Sequence, residues 1–405
     1  MGAEDKETFL AHPVNEDDRT KEGEAYDIEG WTKFSFPGRN KEYSDFQWHF
    51  HHFTGVDWDD KKGEKKIFRI EGKGKSWADD VDGEHGSYDY LMGSDIDHSH
   101  PEVREDLFKW ATWVIRTFPI TGFRFDAVKH ISRQFISDFV KHSREEARKL
   151  RKEQGRPDAD ESIGPIMFSV GEFWKDSVDS CMDYLNNFGG DEQFSLFDAP
   201  LHYNFKAAAD AGSGYDLRKV FDGSIVQKRP IDAVTLVSNH DTQAGQALES
   251  VVAPNFMPLA YALILLRNSG MPCVFLGDLD GCHGEGQSQP EIPAMSNLNK
   301  FIAARKHFAY GDQVDAWDHS SCVGWARKGD DDHDGCAVVL CIGDDEGKKV
   351  LEMGDRYKGR VFIDLLGWHE GEITIGDDGK AEFICPAHSC SIWVAKDASA
   401  LKELP

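Results

Sequence analysis

Basic side chains are in short supply: 46 Lys and Arg stand against 72 Asp and Glu, a formal net charge of −26. Without a basic stripe to neutralise phosphates, nucleic acid and anionic membrane are disfavoured as partners. Long apolar runs are missing too. The longest, PLAYALILL at residues 258–266, falls far short of the roughly 20 residues that cross a bilayer. The 8 cysteines form no CxxC and have no histidine partner at zinc-finger spacing. They read as buried, reduced thiols in a cytoplasmic protein, with Cys385 and Cys390 the pair that could sit close. The opening MGAEDKETFL has no apolar core, so no signal peptide is expected, and Lys6 stands where a myristoylation signal needs Ser or Thr.

What is present suits an enzyme-sized globular protein: 40% hydrophobic residues, 11 Trp and 26 Phe in 405 residues. That length exceeds the roughly 250–300 residues at which one core stops growing, so a large unit with a smaller companion is expected. Many acids and aromatics suit a neutral, hydroxyl-rich ligand or bound cations, and composition does not choose between them.

Residues 1–100 carry scattered aromatics and glycines without a sustained helical period, and predict an irregular, β-rich domain. From Pro101 the pattern changes. PEVREDLFKWATWVIRTF has Pro at a helix start, acids in its first turn and apolar residues at helical spacing. Strand-like GFRFDAV, IMFSVGEF, FSLFDAPL, AVTLVSNHD and PCVFLGD then alternate with helical stretches. That alternation predicts βαβ units with a parallel sheet over 101–310. Residues 311–405 lose the helices, and VGWARKG, CAVVLCIG and FICPAHSCSIWVA predict a small antiparallel β-sandwich.

Within GFRFDAVKH, strand alternation puts Phe123 and Phe125 on one face and Arg124 with Asp126 on the other. Ligand sites of parallel α/β folds gather at the C-terminal ends of strands. Three such ends supply Asp126, Glu172 in VGEFW and Asp241 in SNHDT. Each alone reads as a surface acid at a strand terminus. Together they suit a retaining glycosidase, in which one carboxylate attacks the sugar carbon and a second, protonated one serves the leaving oxygen. Arg124 would keep Asp126 ionised, and Glu172 beside two aromatics would have its pKa raised.

GFRFDAVKH, VGEFW and SNHDT, in that order and spacing, resemble the second, third and fourth signature regions of the α-amylase family of glycoside hydrolases. FPGRNKEYSDFQWHFHHFTGVDWDD, YDYLMGSDIDHSHPEV, FDAPLHYNF and GDQVDAWDH resemble its liquefying and intracellular members. The resemblance implies Asp126 as nucleophile, Glu172 as general acid/base and Asp241 as transition-state stabiliser. It places Arg124 and His240 on the sugar, and Lys129 and Trp174 toward the leaving-group subsites. The implied reaction is endo-hydrolysis of α-1,4-glucan with retention, with a glucanotransferase as the close variant. A calcium ion is implied on Asp89, Asp95 and the carbonyl of His130. Thr54, Ala78 and Ser99 replace the acids that hold further cations in the family, so a single calcium at most is expected.

An EF-hand at DDVDG is rejected, because a loop from Asp80 puts Leu91 where the bidentate Glu belongs. His49, His51, His52, His98 and His100 read as structural loop histidines rather than zinc ligands. MGAEDKETF looks like the segment just after the family's first signature region. The expected fold is therefore α/β: a partial (β/α)8 TIM barrel with its first three strands missing, a loop- and β-rich B domain (1–100), and a C-terminal antiparallel β domain (311–405). A monomer is expected, and a non-catalytic truncated fragment is the alternative to an active enzyme.

Overall fold

The computed structural model describes residues 5–156, 166–189, 192–283 and 291–404. The chain divides into two compact units, Met1–Trp174 with Asp183–Phe194 and Lys175–Met182 with Ser195–Pro405.

The first unit opens with five antiparallel strands: β1 (Lys6–Pro13), β2 (Tyr26–Trp31), β3 (Phe53–Asp59), β4 (Glu64–Ile70) and β5 (Ser94–Ile96), in the order β2-β1-β4-β3-β5. Alternation sets their core. Phe9 and Ala11 of β1 turn inward against Ile28, Val56, Phe68 and Ile70, while Thr8 and Leu10 alternate away. Helix α1 (Pro101–Thr117) follows, with Pro in its first turn, Glu102 near the positive end of its dipole, and Val103, Ala111 and Ile115 buried. Strand β6 (Gly122–Phe125) and strand β7 (Phe168–Gly171) pair in parallel, flanking helix α2 (Arg133–Glu153). Ser132 caps α2 by accepting the N–H of Phe135. Gly122 is required at the start of β6, because a Cβ there would lie 2.2 Å from the carbonyl oxygen of Phe168. The alternation expected of β6 is present: Phe123 and Phe125 pack on Phe139 of α2, with ring centroids 5.5 and 5.8 Å apart.

Helix α3 (Val178–Asn186) leads to strand β8 (Ser195–Phe197), helix α4 (Ala199–Ala211), the short α5 (Ile225–Lys228), strand β9 (Ala233–Leu236), helix α6 (Met257–Leu265) and strand β10 (Met271–Cys273). β8, β9 and β10 run parallel. All five expected strands are shorter than the sequence suggests, two of them because a helix begins within the run. FSLFDAPL ends its strand at Phe197, because Asp198 caps α4 by accepting the N–H of Leu201 and Pro200 enters its first turn. PCVFLGD turns at Phe275 into α7 (Leu276–Asp280). β11 (Cys282–His283), β12 (Glu291–Ile292) and α8 (Leu298–Phe308) precede the C-terminal strands.

Those are β13 (Gln313–Ala316), β14 (Cys322–Arg327), β15 (Cys336–Cys341), β16 (Gly347–Glu352), β17 (Val361–Asp364), β18 (Glu372–Thr374), β19 (Lys380–Cys385) and β20 (Ser389–Ala395). Six form an antiparallel sheet in the order β13-β14-β15-β20-β17-β18, and β16 pairs with β19. Trp325, Trp393, Phe362 and Phe383 are fully buried in this region. All eight cysteines are free thiols. Cys341 hydrogen-bonds with both Cys385 and Cys322, and Cys390 also lies near enough to Cys385 to act on it. Among the described residues no helix is long and apolar enough to cross a membrane.

Candidate active site

The parallel pair β6·β7 delivers two carboxylates at its C-terminal end, one from each strand. Register fixes their heights: Arg124 lies opposite Val170 and Phe125 opposite Gly171, so Asp126 and Glu172 follow at the same level. The backbone locks this alignment, with the Glu172 N–H donating to the Phe125 carbonyl at 2.9 Å and the Val128 N–H to the Glu172 carbonyl at 3.0 Å.

Arg124 bridges the two acids. Its Nη1 donates to Asp126 Oδ1, and its Nη2 donates to Glu172 Oε2 at 2.9 Å. The sequence reading gave this guanidinium one partner, Asp126, whereas the geometry gives it both. Glu172 Oε2 also accepts the N–H of Ala127 at 3.2 Å. That N–H points back because Ala127 adopts φ +46°, ψ +40°, a left-handed conformation that costs an alanine about 1 kcal/mol or more. Strain held by such close neighbours marks a position that the surroundings over-determine.

The two acids differ sharply in environment. The Glu172 side chain is 7% exposed and that of Asp126 is 72% exposed. Burial pushes the Glu172 carboxyl above its ordinary range, and its hydrogen bond with Asp126 pushes the same way. The Ala127 N–H and the Arg124 charge pull it down without prevailing. A buried acid whose pKa is raised thus lies within hydrogen-bonding reach of an exposed acid held by arginine. Lys129 Nζ reaches the Trp174 carbonyl at 3.5 Å and sits over the Tyr88 ring.

In the second unit, His240 and Asp241 occupy a tight turn beyond β9. The Asn239 side-chain oxygen accepts the N–H groups of Asp241 and Thr242 at 3.0 and 2.9 Å, which fixes the turn. His240 Nε2 lies 3.3 Å from Asp241 Oδ2.

The expected calcium ligands lie in the first unit. The carboxyl of Asp89 is buried and that of Asp95 half-buried. Burial and nearby acids raise Asp89 to about 6. Burial, then the charge of Asp89, raises Asp95 well above its ordinary value. The His130 ring donates from Nδ1 to the Tyr88 carbonyl at 2.7 Å, and burial lowers its pKa to about 4. Buried acids that press on one another, without enough positive charge between them, fit an oxygen-seeking divalent cation.

Thr54, Ala78 and Ser99 each donate a hydrogen bond to an acid of this cluster: Thr54 Oγ1 to Asp95, the Ala78 N–H to Asp89 at 2.8 Å, and Ser99 Oγ to Asp97 at 2.5 Å. Lys75 Nζ then pairs with Asp97 at 2.5 Å, both side chains 8% exposed. Sequence inspection missed Lys75, which lies 22 residues from its partner. Asp80 accepts from Ser132 Oγ at 3.1 Å and from the Gln134 N–H at 2.7 Å, a helix-start role that agrees with rejecting an EF-hand.

Residues 28–331 match the family model described as alpha amylase, catalytic domain. The chain is 40% identical to the cytoplasmic alpha-amylase of Escherichia coli (strain K12) over 98% of its own length and 78% of that protein. It is 42% identical to the alpha-amylase of Bacillus licheniformis over 98% of its own length and 73% of the relative. The crystal structure of alpha-amylase I from Eisenia fetida superposes with a TM-score of 0.54 at 13% identity, covering 76% of this chain and 69% of that one, a likeness of fold alone.

Proposed function

The chain belongs to the alpha-amylase family, and from that premise we propose that it is an endo-acting α-1,4-glucan hydrolase working by retaining double displacement. The observation that carries this reading is the pair of unlike carboxyls bridged by Arg124, one exposed and one buried with its pKa raised.

In the first step Asp126 Oδ attacks the anomeric carbon as the glycosidic C–O bond breaks. Glu172 passes its proton to the departing oxygen, so a glycosyl ester forms on Asp126 and the leaving chain departs as an alcohol. In the second step the Glu172 carboxylate takes a proton from water. The water oxygen attacks the anomeric carbon, the ester bond breaks, and both carboxyls return to their starting states. Arg124 hydrogen-bonds both acids throughout. We assign Asp241 to the oxocarbenium-like transition state, His240 and Arg124 to sugar hydroxyls, and Lys129 with Trp174 to the leaving-group side. The resemblance of GFRFDAVKH, VGEFW and SNHDT to the family's signature regions supports these roles.

Asp89, Asp95 and the carbonyl of His130 would hold one calcium ion, which supplies the positive charge that this buried acidic pocket lacks and fixes the loops beside the site. A single ion suffices, because Lys75 and the hydrogen bonds from Thr54, Ala78 and Ser99 meet the remaining charge and lone pairs. Free thiols throughout and a relative named cytoplasmic support a cytoplasmic location. Relatives at 40 and 42% identity named amylases place hydrolysis ahead of transfer.

The test is the anomeric form first released from maltooligosaccharides, followed by NMR. The α-anomer supports retention, and the β-anomer overturns it. Glu172→Gln should lower starch depolymerisation by about 10²–10⁴-fold.

A further inference from the structure

Histidines in the first unit converge in a way their sequence positions do not suggest. His51 and His52 sit in the turn just ahead of β3, and His100 and Glu102 begin α1. One ligand atom from each of these four residues lies within 4.8 Å of the other three. The rings of His51 and His52 have centroids 4.0 Å apart, and those of His52 and His100 are 4.9 Å apart.

From this geometry we propose that His51, His100 and Glu102 form a binding site for a first-row divalent transition metal, zinc in the first instance, with His52 positioning Glu102. The donor set of two imidazoles and one carboxylate suits zinc rather than calcium.

Hydrogen bonding assigns the roles. His52 Nδ1 accepts the backbone N–H of His49 at 3.0 Å, so in the neutral ring the proton is on Nε2. That Nε2 lies 3.2 Å from Glu102 Oε2 and donates to it, as outer histidines and carboxylates orient metal ligands elsewhere. His52 is itself only 2% exposed, a rigid support beneath the exposed Glu102. His100 Nδ1 is buried and has no hydrogen-bond partner, an orphaned nitrogen that coordination would satisfy.

Ligand atoms of a tetrahedral zinc site sit about 3.4 Å apart. The exposed His51 and Glu102 side chains close the remaining gap by small rotations. The other two histidines of this region are engaged elsewhere: His49 Nδ1 lies 3.0 Å from Glu7, and His98 packs on Phe135 with centroids 4.4 Å apart. Metal binding here ties the entry of β3 to the start of α1, about 50 residues apart in sequence.

The test uses the full chain, stripped of metal and held in excess calcium so that oxygen-ligand sites are filled. Zinc is added in a calorimetric titration, and coordination is read by zinc-edge X-ray absorption. The proposal expects one zinc per chain, bound by imidazole nitrogens and oxygen without sulfur. It expects at least about tenfold weaker binding in the double variant His51→Ala/His100→Ala, and about 10–100-fold weaker binding in His52→Phe. Absence of zinc binding, sulfur in the coordination sphere, or unchanged affinity in the folded double variant overturns it. The absorption measurement on the unaltered chain decides the matter even where a variant fails to fold.

Discussion

Arg124 Nη2 donates to Glu172 Oε2 at 2.9 Å while its Nη1 holds Asp126, so one guanidinium sets the charge felt by both carboxyls. Glu172 acts protonated, so activity falls as pH rises through its elevated pKa, the alkaline limb of a bell-shaped profile. Arg124 pulls that pKa down. Arg124→Gln should therefore move the alkaline limb of kcat/KM to higher pH while lowering its maximum. The linkage runs the same way for stability. A carboxyl raised on folding favours the native state at low pH, and that contribution is lost as pH rises from the ordinary glutamate value through the folded one. An alkaline limb that stays put or moves down in Arg124→Gln counts against the assignment.

Gly171 precedes Glu172, and a Cβ there would lie 2.6 Å from Phe194 Cε1 and 3.1 Å from Val128 Cγ2. Gly171→Ala must push these groups aside and carry Glu172 with the strand. A displacement near 1 Å costs about 10²-fold in rate. The expected result is a loss of that order in kcat, with KM changed much less, measured on a soluble maltooligosaccharide.

Removing divalent cations with a chelator should lower the melting temperature, and calcium should restore it. In Asp89→Asn/Asp95→Asn the buried charge is gone, so calcium should no longer raise the melting temperature. Full calcium stabilisation of that double variant contradicts the proposed ligands.

Lys75 and Asp97 form an ion pair with both side chains 8% exposed. Removing one partner of a buried pair costs about 3–5 kcal/mol, because the other is stranded without water. Lys75→Met should lose an amount of that order in urea unfolding, and Lys75→Met/Asp97→Asn should recover part of it. Equal losses in the single and double variants would show that the ammonium is not serving Asp97.

Much of this was legible in the sequence because it depends on short-range pattern. The helix at 133–153 falls in the helical stretch expected after GFRFDAV, and β6 follows from a period of two that puts Phe123 and Phe125 against α2. The Asp198 cap with Pro200 was not read from the sequence. A strand was expected through it because the apolar run FSLF continues into APL, and the side chain that ends the strand is polar. What sequence could not supply lies in pairings across distance. Arg124 meets Glu172 48 residues away, Lys75 meets Asp97, and His52 meets Glu102. Nor does an alanine announce that its φ will be positive. Ala127 takes that conformation because the strand end, the Glu172 carboxylate and the following turn leave it no other.

The most direct test of the central claim is mass spectrometry of Glu172→Gln after incubation with α-maltosyl fluoride. Fluoride departs without an acid, while the altered residue cannot activate water to release the sugar. A maltosyl adduct should accumulate, and peptide sequencing should place it on Asp126. Turnover of the fluoride with no adduct, or an adduct on any other residue, contradicts the account.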